Sequence, residues 1–578
     1  MHCSRLLFET GAFLFCRGGN GLITHIAKSL AIALHQQVAA EEIETLLEKP
    51  KNRALGDFAL PCFKLSKQLG KSPQTIATEI QKNVTCELIQ SIELVGGYVN
   101  LFLNQHLITQ QVLSKMMKEQ KLYGTSPISK GSVVFDFSSP NIAKPFSMGH
   151  LRSSVIGNAL ANLAEKNGYK AIRINHLGDW GTQFGKLIVA YHLWGNQQAI
   201  EAAPIKELLK IYVKFHEEAQ QDATLIVQAR AAFKALEEQD EQALALWQWF
   251  REVSLEEFKG LYQLLGIQFD RYEGEAFYND KMPAVVSELQ TKELLTLSEG
   301  AYVVELEDMP PCIIMKTDGA TLYATRDLAA AFYRKQQYNP EKIYYVVGNE
   351  QTLHFQQLFH VIEKMGYDWA QDLRHVAFGM ILQDGKKMST RKGKIVLLHD
   401  VLTEAIETAK QSIQLKNPHL QNKEEVARQV GVGAVIFNDL KNNRIHDIEF
   451  SINDMMQFEG ETGPYIQYTH ARIHSILDKA DGPLEEVSFQ PLGQQAWQVL
   501  LLLEQFPRAI ANAYEQVDPS IIAKYALQLA RAFNKYYATN KILAKDRLQG
   551  CRLTLCHCVA MILNEALALL GIEAPKNM

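Results

Sequence analysis

Two stretches concentrate the residue types that handle phosphate. The first is Phe137-Ser138-Ser139-Pro140-Asn141-Ile142-Ala143-Lys144-Pro145-Phe146-Ser147-Met148-Gly149-His150-Leu151-Arg152-Ser153. It joins the carboxyl end of a predicted strand to a predicted helix, where unpaired N–H groups and the helix dipole favour anions. Gly149 lets a flat ring or a phosphate approach the main chain, His150 can donate to a phosphate oxygen, and Lys144 brings positive charge. The stretch is neither a dinucleotide GxGxxG nor a Walker loop. The second stretch, Asp384 to Lys394, carries Lys386, Lys387, Arg391, Lys392 and Lys394 against one acid, with Gly385 and Gly393 near its ends. A mobile cationic loop with Ser389 and Thr390 as hydroxyl donors suits the charge on a departing pyrophosphate. Taken alone, each stretch also has a plain reading: a capped strand-to-helix connection, and a solvated basic loop.

Other constellations carry less. His470 and His474 are four apart, a spacing that can ligate metal, but without an HExxH pattern they read as a surface pair. Cys551, Cys556, Cys558 and His557 match no zinc spacing and read as buried free thiols. Gly431 and Gly433 open a predicted helix rather than follow a strand, so they mark no nucleotide site.

The elements that must position this chemistry follow from periodicity. Ser132 to Phe137 is a short buried strand, Leu151 to Lys166 a helix stopped by Asn167-Gly168, and Ala171 to Asn175 the next strand. That is a βαβ unit, hence a doubly wound parallel sheet. Strand-like runs at Ala301 to Leu306, Cys312 to Met315 and Ile343 to Val347 are expected to resume it, after a charge-studded helical insertion at about 195–290. Upstream, His25 to Leu47 has helical spacing, a helix-like stretch runs through Leu65, and Gly97 to Leu103 alternates as a strand. Beyond about 400 the pattern is helical. The 578 residues suffice for three or four domains, and 47% hydrophobic with 21% charged residues excludes a disordered or collagenous chain. Eight cysteines exclude a disulfide scaffold, and a net charge of −5 excludes blanket nucleic-acid affinity while leaving local basic patches. No stretch reads as a membrane span, and Glu9 interrupts the apolar run of the first 15 residues, so a cytoplasmic enzyme is expected, with an organelle matrix as the alternative.

Together the two stretches resemble the His-Ile-Gly-His and Lys-Met-Ser-Lys pair of class I aminoacyl-tRNA synthetases, here Ser147 to His150 and Lys387 to Thr390. Within that class the chain resembles the arginyl-tRNA synthetases, through Ser138 to Phe146, Asn175 to Gly185, Leu322 to Leu328 and Gly463 to Arg472. Two departures stand out: Ser147 replaces the first His, and Thr390 the second Lys. The resemblance implies a Rossmann-type catalytic domain at 131–400, a small α/β tRNA-contacting domain at 1–120, a helical stem at 401–460 and a helical anticodon-binding domain at 461–578.

It further implies that ATP is held by Pro140, Asn141, Lys144, Ser147, Gly149, His150, Lys387, Met388 and Ser389, with Lys144, His150, Lys387 and Ser389 catalytic. Lys144 would supply the charge that Thr390 lacks. Arginine would be held by Asp136, Asn141, Tyr323, Asp327 and Gln351, since a planar five-donor guanidinium wants carboxylates and amide oxygens in fork geometry. Asn100 and Phe102 would meet tRNA. Phe533 to Ala538 supplies aromatics beside a base, with Tyr536 expected to stack on a splayed anticodon base. The implied activity is ATP-dependent attachment of L-arginine to its tRNA through an arginyl-adenylate, with Mg²⁺ accompanying ATP, no tightly bound protein metal, no membrane partner and a monomeric chain. A non-catalytic tRNA-binding relative, or a class I synthetase for another amino acid, are the alternatives.

Overall fold

The computed structural model describes residues 21–317, 323–383, 385–388, 390–391, 394–480 and 489–578. Contacts divide the chain into one unit of Met1–Thr125, Thr469–Asn512 and Tyr525–Glu565, and another of Ser126–Tyr468, Ala513–Lys524 and Ala566–Met578.

The second unit is built on a four-stranded parallel sheet in the spatial order Leu373–His375, Lys342–Tyr345, Ser132–Asp136, Lys170–Ile174. Val133 to Asp136 is buried throughout, which is why the strand reads as an uninterrupted apolar run ending in one acid. From it the chain crosses one way, through the Met148–Lys166 helix, to Lys170–Ile174, while Lys342–Tyr345 pairs on the other side much later. The order reverses there, and the crevice at the carboxyl ends of those strands is where such folds bind ligands. Val134, Ile174, Ile314, Leu328, Ile343 and Leu358 share one core. The helical insertion is present as Gln197–Ala202, Pro204–Glu218, Thr224–Glu237 and Glu241–Leu265.

Two expectations for this unit need correcting. Ala301–Val304 and Cys312–Lys316 do not extend the parallel sheet; with Thr296–Ser298 they form a separate antiparallel sheet. The turn between Ser298 and Ala301 is the two residues Glu299-Gly300, both at positive φ, and so short a connection can only join antiparallel strands. Gly431 and Gly433 lie inside the Lys423–Leu440 helix rather than at its start. A Cβ on Gly431 would sit 2.7 Å from the Ile406 backbone, so this glycine sets the close approach of the Leu398–Lys416 helix.

In the first unit, the helix read over His25 to Leu47 is two helices, Leu22–Ala33 and Ala40–Leu46, broken by His35 and Gln36 at positive φ. The stretch before Leu65 is a strand, Phe58–Pro61, paired antiparallel with Tyr98–Leu103, which also pairs Ile89–Val95. Trp497 Nε1 donates to Asp57 Oδ1 at 2.7 Å and Tyr123 Oη to the Leu503 carbonyl at 3.2 Å, tying helical and sheet parts of the unit together. Contrary to the sequence reading, one helix among the described residues, Gln549–Leu569, is by length and composition apolar enough to cross a membrane; most of it is buried in the protein, the pattern of a core helix.

Candidate active site

The loop from Ser138 to Ser147 is held in a conformation that few residues adopt freely. Ser138, Ser139 and Ala143 all have positive φ, each costing about 1–3 kcal/mol unless neighbours over-determine it. They do. The Ser138 N–H donates to Ser153 Oγ at 2.8 Å, and Ser153 Oγ donates to the Val346 carbonyl at 2.6 Å. Ser138 Oγ lies 2.8 Å from Tyr262 Oη, which also accepts from Asn175 Nδ2 at 2.8 Å. Ser154 Oγ is 2.8 Å from both Ser138 Oγ and the His150 carbonyl. Further along, the Ala143 N–H reaches Ser254 Oγ at 3.3 Å. The Pro140 carbonyl accepts from Gly178 N–H and the Gly178 carbonyl from Ile142 N–H, both at 3.1 Å. A Cβ at 178 would overlap Asn141 Oδ1, so the missing side chain lets Asn141 sit where it does.

At the helix entrance Ser147 is the N-cap and His150 lies in the first turn. The Ser147 N–H donates to His150 Nδ1 at 3.1 Å. That nitrogen must therefore be unprotonated, leaving the hydrogen on Nε2 as a donor. Burial holds the imidazole below its usual pKa, in its neutral form. A neutral N–H donor at a helix N-terminus, beside an exposed Gly149, fits a phosphate oxygen.

The first stretch pairs through the main chain with the segment that directly follows the basic one. Ser147 and Leu397 form an antiparallel bridge, the Met148 N–H donates to the Val396 carbonyl at 3.2 Å, and the Leu398 N–H donates to the Phe146 carbonyl at 3.0 Å. Met148 and Leu398 are each the first residue of a helix, so two otherwise unpaired helix-start donors are satisfied by each other's lead-in. The basic stretch itself begins as a hairpin, Ile381–Gln383 against Lys386–Lys387, rather than as the loop expected. Met388 is buried and its N–H donates to the Ile381 carbonyl at 2.8 Å. Ser389 lies outside the described residues. Ile381 also pairs in parallel with Ile448. The buried Arg152, two residues after His150, reaches that same region: its Nε donates to Asp439 at 3.1 Å, and its terminal nitrogens to the carbonyls of His446 (2.9 Å) and Arg444 (3.2 Å).

In the crevice a chain of charged groups links the expected arginine ligands. Asp136 Oδ2 accepts from Arg334 at 2.7 Å and Oδ1 from Ser139 Oγ at 3.2 Å. Each oxygen of this buried carboxylate accepts one hydrogen bond and keeps a further lone pair, so Arg334 and Ser139 orient it beside the other expected arginine ligands. Arg334 also lies 3.2 Å from His176 Nδ1, His176 Nε2 is 4.0 Å from Asp327 Oδ1, and Asp327 Oδ2 is 2.6 Å from His354 Nε2. Burial works against the Asp327 charge, yet His354, His176 and Arg334 hold its pKa below the usual carboxylate range. Tyr323 and Asp327 share one side of the Tyr323–Tyr338 helix, as their spacing predicts, with Tyr323 69% exposed. Gln351 is exposed at the end of the Asn349–Gln351 turn, just before His354. Asn141 and Lys144 are half-buried on the strained loop. Arg334 Nε and Tyr345 Oη are buried without a hydrogen-bond partner among the described residues.

Sequence reasoning missed Arg334, His176, His354 and Tyr262. His176 stood inside a quoted stretch and His354 three residues after Gln351, but nothing local marks Arg334 or Tyr262, which act across long sequence separations.

The expected RNA-contacting residues fare differently. Tyr536 is fully buried against Phe533 with its hydroxyl unpartnered, so it is a core residue and not a stacking platform. The exposed aromatic is its neighbour Tyr537, parallel to Phe533 and 5.6 Å from the Arg472 guanidinium. Asn100 is buried in the central strand of its sheet, whereas Phe102 is half-exposed. His470 is buried rather than on the surface, its Nε2 3.2 Å from that of His474. Cys551, Cys556 and Cys558 are buried free thiols as read, and burial pushes Cys556 and Cys558 up to about 12.

Comparison with known proteins covers nearly the whole chain. Residues 111–452 match the model of the class I (R) tRNA synthetase catalytic domain, 466–578 the DALR anticodon binding domain and 21–103 the arginyl tRNA synthetase N-terminal domain. An arginine–tRNA ligase of Exiguobacterium sp. is 53% identical over 96% of this chain and 99% of its own length. One from Enterococcus faecalis is 52% identical over the same shares. Among solved structures, a Thermus thermophilus arginyl-tRNA synthetase superimposes with a TM-score of 0.81 at 25% identity, covering 96% of this chain and 100% of that one.

Proposed function

The chain belongs to the arginyl-tRNA synthetase family, and from that premise we propose how its residues attach L-arginine to the cognate tRNA. The arginine carboxylate attacks the α-phosphate of ATP, which arrives as its Mg²⁺ complex, forming arginyl-adenylate and releasing pyrophosphate. The terminal adenosine hydroxyl of tRNA then attacks the adenylate carbonyl and AMP leaves. Neither step needs a protein nucleophile, so the protein's part is placement and charge stabilisation.

His150 donates its Nε2–H to a phosphate oxygen, while Lys144 and Lys387 neutralise charge on the departing pyrophosphate and the Ser389 hydroxyl donates to it. Asn141 orients the amino acid's amino and carboxylate groups. Asp327, with Tyr323 and Gln351, takes the guanidinium, beside an Asp136 that Arg334 and Ser139 orient. Tyr537 with Arg472 offers the aromatic surface for an anticodon base. The enzyme works as a cytoplasmic monomer.

The observation that supports this reading best is the reciprocal main-chain pairing of Phe146–Met148 with Val396–Leu398, which ties the start of the His150 helix to the segment that directly follows the basic stretch. Incubating the protein with ATP, labelled arginine and tRNA should yield arginyl-tRNA, and ATP–pyrophosphate exchange should require added tRNA. No labelled tRNA would favour a non-catalytic relative, and charging with another amino acid would refute the pocket assignment.

A further inference from the structure

We propose that His354 is a positioning residue that couples arginine binding to the loss of one proton. In the empty pocket its imidazolium holds the Asp327 carboxylate; when the substrate guanidinium takes that carboxylate, the imidazolium releases its proton to solvent and stays as a neutral donor. The inference rests on Asp327 being the guanidinium's partner.

Geometry separates the two histidines that flank Asp327. His176 Nδ1 lies 3.2 Å from an Arg334 nitrogen, and an arginine can only donate, so Nδ1 is an acceptor and His176 is neutral with its hydrogen on Nε2. Burial likewise depresses its pKa. His354 has no such constraint. Its Nε2 is 2.6 Å from Asp327 Oδ2, its side chain is 27% exposed, and it sits in the first turn of the Thr352–Lys364 helix. A proton therefore has a route to solvent. Burial opposes the imidazolium, but the Asp327 carboxylate outweighs it and raises the His354 pKa above the ordinary value.

Other titratable and charged groups face the pair: burial keeps the Tyr345 hydroxyl protonated, and Glu275 pairs with Arg326 at 3.6 Å. Arg334 is locked on Asp136, His375 stacks on Phe355 with its Nε2 3.0 Å from the Val347 carbonyl, and burial keeps the nearby Cys312 a thiol. An arriving guanidinium would place a second positive charge against the carboxylate that His354 already neutralises. Like charges on one carboxylate repel, so the bound state favours neutral imidazole. Affinity for arginine must then rise with pH, because the ligand binds better to the deprotonated form.

The test is titration calorimetry of L-arginine into the full chain between about pH 6 and 8.5, in buffers of different ionisation enthalpy. The dissociation constant should tighten by up to about tenfold per pH unit over part of this range, with close to one proton released. His354→Gln can still donate to Asp327 but cannot titrate, so its affinity should be flat with pH and its proton release close to zero. Glu275, whose carboxyl burial pushes up to about 7, lies near enough to be confused with it; Glu275→Gln should leave the proton release at the wild-type level. Release persisting in His354→Gln, or absent from the wild type, overturns the proposal. Should His354→Gln not fold, His354→Asn takes its place, and absence of proton release from the wild type still overturns the proposal. If Asp327→Asn binds arginine with unchanged affinity, the assignment of Asp327 fails instead, a distinct result.

Discussion

Asp327→Asn offers the sharpest probe of the pocket, because it removes a charge and keeps the shape. A guanidinium about 4 Å from a carboxylate gains about 4 kcal/mol at an effective dielectric of about 20. The Asp327 side chain is 28% exposed, so solvent screens part of that, and about half is a reasonable net loss. About 2 kcal/mol corresponds to roughly a 30-fold fall in kcat/KM for arginine. The ATP site is built on other elements, so KM for ATP should change by less than about twofold. The fold should hardly notice: His354 loses its partner but is partly exposed and can be rehydrated, at a loss of at most about 1 kcal/mol. Steady-state aminoacylation at saturating tRNA, with arginine and ATP varied in turn and a thermal melt alongside, measures all three. An arginine kcat/KM within about threefold of wild type, in a protein that melts normally, would refute the assignment.

Other expectations follow from the geometry. Ser147→Ala should alter adenylate formation by no more than about threefold, because the main-chain N–H of residue 147 still holds His150 Nδ1 once the hydroxyl, 3.3 Å from the same nitrogen, is gone; His150→Ala should lower it by about 10²-fold or more. Pre-steady-state adenylate formation distinguishes the two. Lys144→Ala should depress the turnover of adenylate formation while leaving KM for arginine within about twofold, read by varying arginine at saturating ATP. Glu275 is lifted by burial from 4.5 to about 7, against the pull of Arg326. A carboxyl with a raised folded pKa binds its proton more tightly when folded, so its contribution is present below about pH 4.5 and lost as pH rises towards about 7, to a total of about 3 kcal/mol. Urea unfolding at about pH 5 and pH 8 should show that loss in the wild type and a smaller one in Glu275→Gln.

What the sequence revealed depended on how local the determinant was. The Ser132–Asp136 strand, the Met148–Lys166 helix and the Lys170–Ile174 strand are adjacent, strongly patterned and closed by Asn167-Gly168, so their βαβ identity could be read directly. Tyr323 and Asp327 kept their helical spacing for the same reason. The antiparallel sheet at Thr296–Ser298, Ala301–Val304 and Cys312–Lys316 was assigned to the wrong partner, because an apolar run says that a strand is buried and not which strand it joins. The partner of Asp136 and the burial of Tyr536 were missed for a related reason. A carboxylate at a strand end and an aromatic on a helix look alike whether they face ligand or core. What fixes each is a distant residue: Arg334 in one case, the packing around Phe533 in the other. Arg152 shows the limit most plainly, since its three acceptors lie almost 300 residues downstream.

The joint between Phe146–Met148 and Val396–Leu398 has a consequence for which substitutions the chain tolerates. Its bonds run between amides, so most side chains at these positions can change without loosening it. Proline is the exception. The opening residue of a helix ordinarily welcomes it, since the amide hydrogen there is surplus. At 148 and 398 that hydrogen is spoken for, so a replacement harmless at most helix starts would here unfasten the Met148–Lys166 helix from the lead-in of the Leu398–Lys416 helix, or the reverse.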